Sequence, residues 1–142
     1  MPYLALDPVS AAIYTRLNVA ALTALAPGGV MDDIAQGSAY PLVFYEVHEV
    51  AQIGGLGSQP GVRALPELEL RVHVYSQAAG MTEAQTVMAK VIELLFASAL
   101  VVTGYATCAL FLGSTIPLPD ELVAGVKVRE LVSIFRLYVQ EA

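Results

Sequence analysis

Apolar residues recur along this chain with two different periods, and the switches between them divide it into elements. From Asp7 onward, Val9, Ile13, Leu17, Ala20, Ala21 and Ala24 fall on one face at helical spacing, with Arg16 beside it. Asp7 supplies an N-cap, Pro8 a first helical residue that needs no amide donor, and Pro27-Gly28-Gly29 a stop. The pattern predicts one uninterrupted helix. Asp32-Asp33 and Gly37-Ser38 then mark turns, with one short strand between them. Leu42–Val50 is rich in β-formers and predicts a strand after Pro41. A loop follows over Ile53–Gly61, with Gly54, Gly55, Gly57 and Gly61 in it.

The cleanest alternation comes next. Leu68, Leu70, Val72 and Val74 point one way, and Glu67, Glu69, Arg71, His73 and Tyr75 the other. Residues 42–75 therefore read as a long β-hairpin with one core face and one polar face. Thr82 and Gln85 have capping-box spacing at the start of a second helix. Its apolar face is Ala84, Val87, Met88, Val91, Ile92 and Leu95. Ala106–Ile116 predicts a strand, Pro117-Leu118-Pro119-Asp120 a loop, and Val126–Gln140 a final long strand. The order helix, hairpin, helix, hairpin predicts an α+β fold. Its sheet is mainly antiparallel, of four to five strands, with two helices packed on one face. One domain is expected over residues 1–142.

Composition sharpens this picture. The 142 residues are 56% hydrophobic and 14% charged, against a charged share of about 25% in ordinary globular chains. A monomer of this size would struggle to hide so much apolar surface, so either a large subunit interface or a membrane is implied. The run Leu94–Gly113 is uncharged and long enough to cross a bilayer. It begins, however, inside the amphipathic helical pattern, breaks at Thr103-Gly104 and lacks Lys/Arg or aromatic anchors. A buried helix end followed by a buried strand is the expectation, and no membrane partner. The N-terminus lacks the pattern of a signal peptide, so synthesis in the cytosol is expected.

A net charge of −6, with seven Lys/Arg scattered from Arg16 to Arg136, argues against tight binding to nucleic-acid phosphates. An acidic wall that DNA passes without sticking is compatible with it. Catalytic motifs are missing. The glycine loop has no Gly-Lys-Ser/Thr and precedes a strand, so it is no phosphate cradle. Asp32-Asp33 reads as turn residues. Cys108, the lone cysteine, lies in an apolar run with no basic neighbour. Glu46, His48, Glu69 and His73 share the polar face of the hairpin. They are the one group that could serve a small ligand-binding domain, yet they lack the short-range spacing of a metal site. No enzyme, metal or cofactor is expected.

The layout resembles a known family. A helix of about twenty residues leads to Ala39-Tyr40-Pro41-Leu42-Val43-Phe44-Tyr45, a glycine-rich loop, then Glu69-Leu70-Arg71-Val72-His73-Val74-Tyr75-Ser76. A helix with Glu83-Ala84 and Val91-Ile92-x-Leu94-Leu95 precedes two closing strands. Over residues 7 to 140 this is similar to the tail terminator (tail-completion, head–tail joining) family of long-tailed bacteriophages and phage-like particles. Where Trp is expected in many relatives, this chain has Tyr75. The resemblance implies a non-enzymatic virion protein, assembled in the host cytoplasm. It implies a ring of six on the last ring of tail-tube protein, facing the head connector, with DNA passing through the lumen. Another neck protein, either a head-completion adaptor or a tail-tube subunit, is the neighbouring alternative.

Ring formation needs interfaces, and two stretches are candidates. The neutral run Thr107–Leu118, with Leu110, Phe111, Leu112, Pro117 and Leu118, is too apolar to leave in water. The Gly54–Arg63 loop, with Gly54, Leu56, Gly57 and Arg63, is free to reach a neighbour and order on contact.

Overall fold

The computed structural model describes residues 6–33, 39–53 and 65–141. Eight elements follow in order: α1 (Leu6–Leu17), α2 (Ala20–Thr23), β1 (Val30–Met31), β2 (Leu42–Ile53), β3 (Leu65–Ser76), α3 (Thr82–Leu95), β4 (Tyr105–Val123) and β5 (Val126–Glu141). The strands form one five-stranded sheet in the order β1-β2-β3-β5-β4. Only β1 runs parallel to its neighbour, pairing Val30 with Val43 and Met31 with Phe44. The α+β class and the mainly antiparallel sheet are as expected from the sequence.

The alternation of β3 places Leu68, Leu70, Val72 and Val74 in the core, each fully buried. They join Val43 and Tyr45 of β2 and Leu131, Phe135, Leu137 and Val139 of β5. Val9, Ile13 and Leu17 of α1 and Ala84, Val87, Met88, Val91 and Leu95 of α3 complete the same cluster. Burying a side chain of this size contributes about 1.5–3 kcal/mol, so this shared cluster is the main driving force for the fold. Its placement follows directly from the hydrophobic pattern.

The first helix is not continuous. It stops at Leu17, Val19 is extended (φ −127°, ψ 156°), and α2 is a separate turn. The Asn18 amide still donates to the Tyr14 carbonyl (2.8 Å) and its side-chain amide to the Tyr14 hydroxyl (3.0 Å), so the helix closes its last turn just before the break. The break resets the helical phase. Leu22 and Ala26 are buried, while Ala20, Ala21 and Ala24, expected inside, face solvent. The segment then ends as expected at the glycines. A Cβ on Gly28 would overlap the carbonyl oxygens of Ala39 and Pro41, so the chain needs glycine there to bring residue 28 against β2.

A two-residue strand lies at Val30–Met31, ahead of the Asp32-Asp33 turn; the short strand expected between Asp32-Asp33 and Gly37-Ser38 falls on residues 34–38, outside the described residues. Two further expectations are corrected. The capping box is not formed: Met81 is the N-cap of α3 and no side chain caps it. Instead the buried Ser76 hydroxyl donates to Glu83 Oε1 (2.7 Å) and accepts from the Ala78 amide (3.1 Å). Finally, Pro117–Asp120 is not a loop but part of β4, which runs on to Val123. Proline removes a ladder donor, which is tolerated on an edge strand, and β4 is that edge.

The uncharged run 94–113 is divided between the end of α3, a turn at Thr103-Gly104 (Gly104 φ +86°) and the start of β4. Among the described residues no helix is long and apolar enough to cross a membrane.

Candidate assembly surface

The neutral stretch after α3 forms β4 because it is rich in β-branched and aromatic residues. Among the described residues it pairs only with β5, so one row of its backbone N–H and C=O groups has no strand partner. Gly113 sits at a register shift between Leu112 and Ser114. A Cβ there would come 3.0 Å from the Ile134 carbonyl oxygen, which explains a glycine in the middle of a strand. The bulge lets apolar side chains appear on both sides of β4.

Phe111 is 57% exposed, and Leu112, Ile116 and Leu118 are exposed as well. Phe111 leans edge-on against Tyr138 at 5.8 Å, which orients the ring without covering it. Of the residues expected on the interface, Phe111, Leu112, Pro117 and Leu118 lie exposed along this strand. Leu110 turns inward, half-buried against the core. Gly54, Leu56, Gly57 and Arg63 lie outside the described residues.

The polar row of the sheet forms a closed set of pairs. His73 is only 13% exposed and stands between two acids: Nδ1 lies 2.6 Å from Glu130 Oε2, Nε2 3.1 Å from Glu46 Oε1. A carboxylate oxygen thus faces each ring nitrogen. His48 Nε2 approaches Glu46 Oε2 at 3.3 Å, and Arg71 takes Glu69 at 3.0 Å. Phe44 (5.3 Å) and Tyr75 (6.1 Å, stacked) flank the His73 ring. Burial pushes the Glu46 carboxyl up, but hydrogen bonds and charge from His73 and His48 outweigh it, and it titrates below the ordinary range. Tyr75 is driven well above the usual phenol value by burial and then by Glu130.

Glu46, His48, Glu69 and His73 thus do share one face, as expected. They spend their hydrogen-bonding capacity on one another and on Arg71 and Glu130. Among the described residues no group of three or more His, Cys, Asp or Glu is arranged to hold a metal ion. Sequence reasoning did not single out Glu130, because its place beside His73 depends on β5 lying next to β3. A hairpin signal cannot carry that strand order.

Two arginines act as clamps rather than as surface charge. Arg16 reaches from α1 to the carbonyl oxygens of Leu94 (3.0 Å), Leu95 (3.4 Å), Ser98 (2.9 Å) and Ala99 (3.1 Å) at the end of α3. A cation at a helix C-terminus satisfies orphan carbonyls and complements the dipole. Arg129 of β5 donates to the carbonyls of Ala78 (3.2 Å) and Ala79 (2.9 Å) and to Asp120 Oδ2 (2.9 Å). It ties the start of α3 to the base of the β4–β5 turn.

The chain is thus an α+β protein with an exposed apolar edge strand and a polar face whose charged groups pair with one another. The chain belongs to the family of tail completion protein gp17, which matches residues 11–130. That membership places it among the structural proteins of the bacteriophage tail, working with other tail and head proteins. No curated protein matches it in sequence. Its fold is similar to a chain from the virion of a native gene transfer agent particle, at 22% identity and a TM-score of 0.65 over 99% of this chain and 100% of that one. A second solved chain is 15% identical with a TM-score of 0.60, covering 96% of each. The bacteriophage SPP1 gp17 protein is 14% identical, with a TM-score of 0.46 over 89% of this chain and 86% of that one.

Proposed function

We propose that the chain is a tail terminator. Copies close into a ring of six on the last ring of tail-tube protein, stop tube growth and present a surface to the head connector. It works as one domain over residues 1–142, without catalysis or cofactor. The observation that carries this reading is β4. Among the described residues this edge strand pairs on one side only and carries exposed apolar side chains. Such an edge invites aggregation unless a partner covers it, and copies related by rotation cover one another in a closed ring. Six copies of 15.0 kDa give about 90 kDa. A net charge of −6 suits a lumen through which DNA slides without being held.

The test is the mass of the purified protein by light scattering after size exclusion, without detergent. A particle near 90 kDa supports the ring; a 15.0 kDa monomer that also fails to bind tail tubes refutes it. Phe111→Asp places a charge on the exposed edge. It should abolish assembly and leave the far-ultraviolet spectrum unchanged, and unaltered assembly would remove this edge from the interface.

A further inference from the structure

The turn joining β4 to β5 is built against ordinary preference. Val123 pairs with Val126 across the two residues Ala124 and Gly125, both with positive φ (51° and 80°). A turn of this kind normally places Asn, Asp or Gly at its first position. Alanine there accepts a left-handed backbone at a cost of about 1–2 kcal/mol. The result is a tip, Val123-Ala124-Gly125-Val126, without a polar side chain. Leu122 beside it is 76% exposed, and Val123 and Val126 are exposed too.

This tip projects. Pairing of β5 with β3 ends at Arg129, opposite Ser76; Val128 is still buried, and Val126 and Lys127 extend past it beside β4, by about 7 Å at strand rise. Arg129 binds Asp120 at 2.9 Å and so braces the base of the arm, while the exposed Lys127 reaches the same carboxylate at 3.3 Å, a surface pair weak enough to be exchanged for another carboxylate. An apolar, braced and strained tip held in water is unfavourable unless something buries it.

The same chain carries a matching receptor. Between α1 and the segment after α3 lies a groove of 730 Å³ lined by Pro8, Ala11, Ala12, Leu94, Leu100 and Val101. Asp7 and Arg16 also line this groove, and the hydrogen bonds of Arg16 go to neutral carbonyl oxygens. The tip carries the complementary pair, Lys127 and Glu121, both exposed and flanking Leu122. The two surfaces lie at opposite ends of α3. Arg129 fixes the arm beside Ala78 and Ala79, ahead of the helix, and the groove follows its last turn. A helix of 14 residues separates them by about 20 Å, so a tip faces away from its own groove.

We propose that the β4–β5 tip of one copy seats in the α1–α3 groove of the next, Lys127 toward Asp7 and Glu121 toward Arg16. This head-to-tail contact rests on the ring reading above and specifies its direction. Different patches meet at every joint, as a cyclic ring requires.

Two variants test it, Leu122→Asp on the tip and Ala11→Arg in the groove. Both positions are exposed, and unchanged melting checks the fold. With and without cognate tail tubes, each variant alone should fail to assemble. Mixed in equal amounts, one intact tip meets one intact groove, and a complex of two 15.0 kDa chains, about 30 kDa, should form and grow no further. A Leu122→Asp protein that assembles at wild-type mass overturns the contact and leaves the ring reading standing. A mixture in which both variants remain single chains overturns the pairing of tip with groove. Wild-type protein that assembles under neither condition overturns the ring reading itself.

Discussion

β3 and β4 are both long strands rich in apolar residues, yet they meet opposite fates. β3 lies between β2 and β5, with its apolar row in the core and its polar row paired into the His73 cluster. Among the described residues β4 has one neighbour, and it carries exposed apolar side chains on both sides. The lesson is that alternation reports which residues share a face, not whether anything covers that face. Inside the sheet a side chain contributes to folding; on the edge the same chemistry is available for association.

The comparison breaks most visibly at the core. Leu70→Ala empties a fully buried site and should lower unfolding free energy by about 3 kcal/mol. Leu112→Ala on β4 should change it by no more than about 0.5 kcal/mol. Denaturant titration of non-assembling protein measures both, and equal losses would mean that β4 is covered within one chain. Next in size is the clamp between α1 and α3. Arg16→Ala leaves carbonyls at the end of α3 without their cation and should cost about 2 kcal/mol; a change within error would mean that water replaces it.

The smallest effect belongs to the polar row. Glu46 has a depressed folded-state value, so its contribution is present above its ordinary value of 4.5 and is lost as pH falls through the lower folded value. Glu46→Gln should therefore flatten the acid limb of the stability curve and leave the neutral region less affected. An acid limb of unchanged slope would show that this carboxylate is not coupled to folding.

Much of the fold was legible in the chain because it depends on local period. The helical stripe of α3, the alternation of β3 and the turn glycines at 28–29 each act over a few residues. The β4 limit was not legible. Proline at 117 and 119 signals a loop when neighbours are unknown, and only its edge position makes it tolerable in a strand. The break at Asn18 was hidden for a related reason, since alanines fit a helical stripe whether or not they are buried. The candidate surface divided the same way. Its apolar character could be read directly, while the inward turn of Leu110 and the exposure of Phe111 depend on pairing with β5.

By itself, then, the sequence determined the α3 stripe, the β3 alternation, the acidic and uncharged stretches, the lack of recognisable catalytic patterns and the likeness to phage tail proteins. These are properties of residue type and short-range spacing. The tertiary structure alone decided which strand is the edge, which carboxylates flank His73, and that the β4–β5 tip and the α1–α3 groove lie at opposite ends of α3. Those facts follow from strand order and long-range packing, which join residues far apart in the chain and leave no periodic trace in it.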